Sequence, residues 1–251
     1  MAPAVTAPPG TCCPIVELRQ YSLHPGKRDV LIDLFDREFI ETQETVGMKV
    51  IGQFRDLDDP NRFVWLRGFR DMPARARALT DFYGGPVWKA HRDAANATMI
   101  DSDNVLLLRP ARPASGFSLE NADRPRPGAT DVSRGLVVAT VYYFDSPADS
   151  GFVDFFEQSL QPALADTGAS ILAYFVTENS ANNYPALPVR EGEHAFVWFS
   201  LFEGETAHGR HLTALARSTR WGEVTAELTR LLKGSPEVRK LSPTARSLLH
   251  G

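Results

Sequence analysis

The side chain best suited to proton transfer near neutral pH is His91, whose ordinary pKa lies close to the working range of an enzyme. It directly precedes Arg92, and Asn96 follows at the i, i+4 spacing of a shared helix face. Arg92 and Asn96 could hold a carboxylate or carbonyl oxygen of a ligand, or could cap a loop or cross an internal interface. Arg67 stands mid-strand between Trp65 and Phe69. A buried guanidinium needs an anionic partner, either Asp33, Glu38 or Glu17, or a bound acid. Trp65, Trp88 and Tyr83 would supply an apolar wall, with the Tyr83 hydroxyl as a donor or its ring packed over the Gly84-Gly85 gap. Glu17, Arg19 and Tyr21 alternate along one strand and so share a face. They line either a polar cavity or an exposed, salt-bridged edge.

These groups fit a site in which His91 is general acid or base. Arg92, Asn96 and Arg67 orient or neutralise an oxyanion or carboxylate, and Arg19, Tyr21, Tyr83, Trp65 and Trp88 complete the binding surface. Such a site suits isomerisation, cyclisation or cofactor-independent oxygenation of a small, largely apolar molecule. His194, His208 and His211 suggest a metal, but no third ligand follows His208 and His211 at useful spacing, so no metal site is expected. Haem ligation through His91 would need an apolar cavity and is the weaker reading; no cofactor is otherwise implied. Neither GxGxxG nor GxxxxGK[ST] occurs.

The elements that must position these residues occur twice. Adding 133 to Phe63, Val64, Trp65, Phe69, Leu79, Trp88, Val105 and Pro110 gives identical residues at 196, 197, 198, 202, 212, 221, 238 and 243. At an offset of 121, Val16, Tyr21, Asp33, Phe35, Gly47 and Phe54 recur at 137, 142, 154, 156, 168 and 175. The change of offset adds 12 residues between the second and third strands of the second copy, within Thr177 to Glu193. That long polar loop is either a lid or surface decoration.

Periodicity places strands at 15–23, 48–55, 62–69 and 105–109, a helix over 27–45 ended by Gly47, and a helix from Pro73 that is interrupted at Gly84-Gly85-Pro86 and resumes to about Met99. Each copy is therefore a ferredoxin-like βαββαβ unit. Both faces of the third strand are largely apolar, so both must be covered. Helices cover one face, and the other copy's sheet covers the second. The expected fold is α+β, two tandem ferredoxin-like repeats whose antiparallel sheets pack as an intramolecular α/β barrel. It divides into a loose tail (1–14), a first repeat (15–110), a Pro/Arg/Gly-rich linker (111–134) and a second repeat (135–251).

The copies differ mainly where the first is polar: Arg67 falls on Ser200, His91 on Val224, Arg92 on Thr225 and Asn96 on Thr229. At about 100° per residue, His91 shares an arc with Trp88, Ala95 and Met99, which copy two fills with Val224 and leucines. An inward histidine there is either functional or a core residue bonded to a backbone carbonyl.

Composition narrows the class. The 251 residues are 43% hydrophobic, enough for a sizeable core, and the net charge of −4 with no basic run argues against nucleic acid as partner. No apolar run approaches the ~20 residues of a membrane span. Cys12 and Cys13 are adjacent, a bridge between neighbours is strained, and no other cysteine exists, which favours a reducing cytoplasm.

The segments ELRQYSLHPG, FVWLRGF and YGGPVWKAHRDAANATMIDSDNVLLLRP, with the closing Trp221 to Leu249 segment, resemble the NIPSNAP family of dimeric α/β-barrel proteins. The resemblance covers roughly residues 15–250, with the sharper motifs in the first copy. It implies the ferredoxin-like barrel, within a superfamily of cofactor-free oxygenases, isomerases, cyclases and haem-binding enzymes. Two functions follow as expectations: an enzyme with its pocket in the first repeat, or a non-catalytic binding or interaction module. The strand edges leave a homodimer open.

Overall fold

A computed structural model describes residues 11–120 and 122–250; the expected loose tail lies, up to residue 10, outside the described residues. The strands are β1 (Ile15–Leu23), β2 (Lys49–Asp56), β3 (Arg62–Phe69), β4 (Met99–Asp101), β5 (Val105–Pro110), β6 (Leu136–Tyr143), β7 (Ser170–Thr177), β8 (Ala195–Phe202) and β9 (Glu237–Pro243). The helices of the first half are α1 (Arg28–Leu34), α2 (Ile40–Thr45), α3 (Met72–Gly84) and α4 (Pro86–Asn96). Those of the second are α5 (Ser150–Phe155), α6 (Gln161–Ala165), α7 (Glu205–Leu215) and α8 (Thr219–Leu231).

Local chemistry sets the element ends. Asp71 caps α3 by accepting from the Ala74 N–H at 2.6 Å. Gly85 and Pro86 separate α3 from α4 where the sequence breaks. One π-helical turn, Phe35–Phe39, joins α1 to α2, and another, Phe156–Leu160, joins α5 to α6. Gly47 and Gly168 follow these helices at φ 92° and 104°, a backbone that side chains resist. The second part of the broken helix ends at Asn96, short of Met99, and its next residues form the small strand β4.

Among the described residues the strands make one antiparallel sheet in the order β3-β2-β9-β6-β8-β7-β5-β1-β4, and the β1–β3 pairing closes it into an eight-stranded barrel-like sheet with β4 outside the ring. The halves join edge to edge, β2 to β9 (Phe54 opposite Pro243) and β5 to β7 (Leu108 opposite Thr177). This refines the expectation of two sheets covering one another: they share a single interior. Strand alternation then sorts the core. Val16, Leu18, Val64 and Leu66 point into the barrel with Phe54, Phe175 and Phe199. Phe63, Trp65 and Phe69 point outward under α1–α4, and Phe196, Trp198 and Phe202 outward under α5–α8.

The register is alike on both sides. Glu17 lies opposite Arg67 and Arg19 opposite Trp65, as Val138 lies opposite Ser200 and Thr140 opposite Trp198. The irregular step between Val50 and Gly52 in β2 also has a counterpart between Ile171 and Ala173 in β7. These pairings place chemically different residues at corresponding positions of the two outer faces.

Segments read as linker and tail are structural. Residues 111–134 contain no helix or strand among the described residues, yet Phe117 plugs the barrel, its ring 5.1 Å from both Phe175 and Phe199. Arg124 holds the Arg246 carbonyl at 2.7 Å and Glu44 at 2.8 Å. Past β9, Thr244, Ser247, Leu248 and Leu249 are buried. Cys12 and Cys13 are joined by a disulfide, and Cys13 packs so closely on Gly68 that a Cβ there would overlap its sulfur. The expectation of a reducing compartment rested on that bridge being too strained to form. No helix among the described residues is long and apolar enough to cross a membrane.

Candidate functional site: one scaffold position, two chemistries

On the outer face of the first half, Glu17 receives three guanidinium groups. Arg19 Nη1 and Arg67 Nε each donate to Oε2 at 2.7 Å, and Arg75 Nε donates to Oε1 at 2.7 Å. All four side chains are fully buried. Burial pushes the Glu17 carboxyl up, but Arg67, Arg19 and Arg75 outweigh it and hold it far below the ordinary carboxylate range. Burial alone would favour a neutral Arg19; the Tyr21 oxygen and Glu17 reverse that and hold its proton more tightly than usual.

The remaining contacts are neutral. Arg19 Nε donates to the Tyr21 hydroxyl at 2.9 Å, and Arg67 Nη1 to the Tyr83 hydroxyl and to Gln43 Oε1, both at 3.3 Å. Both arginines stack on Trp65, with guanidinium carbons 5.7 and 5.1 Å from its ring centroid. Arg75 Nη1 reaches Asn182 Oδ1 at 3.1 Å and Asn183 Oδ1 at 2.7 Å. Those two residues belong to the long loop after β7. Its Tyr184 stacks on Tyr83, with centroids 6.1 Å apart, and its Leu187 packs against the first half's apolar layer. The loop is thus seated on the other half rather than decorating its own.

The corresponding space of the second half is a cavity of about 600 Å³. Its lining carries the counterparts of the cluster: Val138 for Glu17, Thr140 for Arg19, Ser200 for Arg67 and His208 for Arg75. Glu17, Arg19 and Arg67 give way to the short Val138, Thr140 and Ser200, Arg75 gives way to an imidazole, and the space is open. Tyr142, Trp198, Phe202, Trp221 and Leu228 make the wall. Leu212 and Val238, 51% and 48% exposed, form the rim.

α7 turns His208 and His211 toward this cavity. The rings stack at 6.2 Å with 26° between planes, both against Phe202. Burial pulls the His208 imidazole below its ordinary pKa, helped by neighbouring His211 and Lys240. Burial does the same to His211, opposed by its bond to the Thr167 backbone. Both rings are therefore neutral at pH 7. His211 Nδ1 lies 2.9 Å from the Thr167 hydroxyl and 3.2 Å from its carbonyl. A proton on Nδ1 donated to that carbonyl leaves the Nε2 lone pair available.

The expected catalytic group does not assemble. His91 is half-buried on α4, its Nε2 3.5 Å from Glu38 Oε2, with its ring edge-on to Phe39. Arg92 and Asn96 are exposed, Arg92 lying 3.4 Å from Asp93. The arc of Trp88, His91, Ala95 and Met99 does face the protein, with Ala95 buried and Trp88 and Met99 packed on the first half's apolar layer, but Arg92 and Asn96 fall outside it. Of the binding set, Arg19, Tyr21, Trp65, Arg67 and Tyr83 do converge, on Glu17, and Trp88 packs against Tyr83 at 4.8 Å. For Arg67 the partner is Glu17, one of the three carboxylates the sequence offered.

Two groups were missed. Arg75 lies at the offset of 133 from His208, and comparing those positions would have paired them. His208 and His211 read as polar because GETAHGRH is a polar string, whereas α7 buries its i, i+3 face. No grouping of three or more metal-binding side chains is present among the described residues.

The barrel-like α+β architecture recurs in solved structures. An anthrone oxidase-like protein matches with a TM-score of 0.56 at 13% identity, covering 99% of each chain. A candidate monooxygenase from Fusobacterium nucleatum subsp. nucleatum matches at 0.54 and 9% identity over 93% of each chain. Another, from Lactobacillus acidophilus NCFM, matches at 0.52 and 13% identity over 92% of this chain and 94% of that one. At these identities the likeness is one of fold. Residues 16–114 match the NIPSNAP family model, so the sequence kinship lies in the first half. No curated protein matches the chain in sequence.

Proposed function

We propose that the protein is an enzyme acting on a small, largely apolar organic molecule bound in the second-half cavity, with His211 as general base and His208 beside it as hydrogen-bonding partner. The observation that carries this is the cavity itself. About 600 Å³ of mostly aromatic and aliphatic wall ends in two buried, neutral imidazoles. The two halves are taken as copies of one ferredoxin-like unit, of which the second keeps the pocket.

The chemistry that fits is proton abstraction next to a carbonyl. His211 Nε2 takes the proton, the C–H bond breaks, and its electron pair moves to the carbonyl oxygen as an enolate. Tyr142, Thr140 or Ser200 donates a hydrogen bond to that oxygen. Return of the proton to another carbon is isomerisation, and attack of the carbanion within the same molecule is cyclisation. In the oxygenase variant the carbanion carbon bonds dioxygen, the peroxide takes up the proton from His211, and cleavage of its O–O bond with loss of the carbon's second hydrogen releases water and leaves a carbonyl. The names of the fold neighbours, an anthrone oxidase-like protein and candidate monooxygenases, favour that last branch and suggest hydroxylated polycyclic aromatics as first substrates to try.

The test is a turnover screen of anthrones and related enolisable aromatics, with His211→Gln and His208→Gln beside the wild type. His211→Gln should lower kcat by about 100-fold or more, as loss of general base catalysis does, while ligand binding persists. Because the base must be unprotonated and burial lowers its pKa below that of a free imidazole, kcat should be level through neutral pH and fall only on acidification. Tight binding without turnover in every member of the screen would instead assign a binding module.

A further inference from the structure

The first-half cluster is short of negative charge. Three guanidinium groups against one carboxylate leave a net of +2 (three minus one) in side chains with no exposure. Every other acceptor they contact among the described residues is neutral. Unpaired charge in such surroundings is costly. Arg67 Nη2, Arg75 Nη2 and Trp65 Nε1 are also buried without a hydrogen-bond partner, and orphaned donors around excess positive charge mark the place of an absent acceptor.

The route in is visible. Asn183 is exposed, yet its side-chain oxygen contacts fully buried Arg75, so the loop is the layer between the cluster and solvent. Asn182 and Asn183 present neutral amide oxygens to Arg75 Nη1, the geometry a carboxylate would offer with charge added. The 12 residues that lengthen this loop relative to its counterpart are what let it reach the other half.

We propose that the first half is a carboxylate-binding site. A small monocarboxylate displaces the Asn182 and Asn183 side-chain oxygens from Arg75 and bonds Arg75 Nη1 and Nη2, with Arg67 Nη2 and Trp65 Nε1 completing its shell, and the loop lifts to admit it. This site is separate from the histidine cavity and stands or falls independently of it.

The experiment is calorimetric titration of the full chain with sodium formate and sodium acetate, against sodium chloride at matched ionic strength. Formate or acetate should bind saturably at one site per chain, and chloride should not. Arg75→Lys keeps the charge and removes the planar fork, so it should weaken binding about tenfold or more with little loss of Tm. Asn182→Ala/Asn183→Ala removes the competing oxygens and leaves the cluster intact, so it should bind several-fold more tightly. Crystals soaked in acetate should show it between Arg67 and Arg75. Absence of saturable carboxylate binding in both wild type and the asparagine double variant overturns the proposal. So does undiminished binding in Arg75→Lys, or water alone at the two Nη2 atoms.

Discussion

Glu17→Val places in the first half the residue that the second half carries at Val138. It removes the carboxylate that Arg19, Arg67 and Arg75 share through three contacts of 2.7 Å. Breaking one buried pair costs about 3–5 kcal/mol because the surviving charge is left unmatched. Here three cations lose their anion at once, so ~5 kcal/mol is a lower expectation. A chain of 251 residues has an unfolding entropy of about 0.5 kcal/mol/K near its midpoint. The variant should therefore melt about 10 °C lower by calorimetry. The informative comparison is the fourfold variant Glu17→Val/Arg19→Thr/Arg67→Ser/Arg75→His. It exchanges the whole network for the second half's lining, leaves no stranded charge and opens a second cavity. It should recover the part of the loss that comes from stranded charge, while the cavity it opens keeps it below wild type. If Glu17→Val melts within 2 °C of wild type, the account of the cluster as a mutually dependent unit is wrong.

Other expectations follow from single contacts. Burial raises the Asp36 carboxyl to about 6 against the opposing pull of Arg246, and its Oδ1 has no partner. A carboxyl whose folded pKa is raised favours the fold below its unfolded pKa and loses that contribution as pH climbs through about 6. Asp36→Asn should thus be more stable than wild type by about 1–3 kcal/mol at pH 8 and indistinguishable near pH 4 in urea melts. Phe117→Ala empties the middle of the barrel and should cost about 3–5 kcal/mol, read as a lower urea midpoint; a loss under 1 kcal/mol would show that residues 111–134 are dispensable to the core. Ser200→Phe fills the second-half cavity and should abolish binding of any aromatic ligand there while leaving carboxylate binding by the first half unchanged.

Much of the barrel was legible because its signals are local or periodic. Alternation in β3 told which residues face each way, and Gly47, Gly85 and Pro86 stopped the helices where the chain turns. The internal repeat located the second set of strands. Edge-to-edge joining through β2–β9 and β5–β7 was not legible, since backbone pairing between distant strands leaves no trace in side-chain period. The site divided in the same way. Arg67, Tyr21 and Arg19 declared themselves as charged or polar groups on an apolar strand. His91 lies on the inward arc as its apolar counterpart implied, but at its half-buried margin beside Glu38, while Arg92 and Asn96 turn to solvent, so the three do not meet. The most useful reading of the repeat was the reverse of the obvious one. Where the first half carries Glu17, Arg19, Arg67 and Arg75 the space is filled, and where the second carries Val138, Thr140, Ser200 and His208 a cavity lies open.

The edge pairing of β2 with β9 also governs when the molecule can be completed. β2 ends at Asp56 and β9 at Pro243, so that seam joins residues about three quarters of the 251-residue sequence apart. Loop closure over such a span is slow. Until β9 is in place, this edge of β2 has no strand beside it. An unpaired strand edge of this kind recruits other chains. The seam is therefore the assembly's timing element. A chain truncated before β9 would retain most of its hydrophobic residues yet present an open, sticky margin, and self-association rather than simple unfolding is its expected fate.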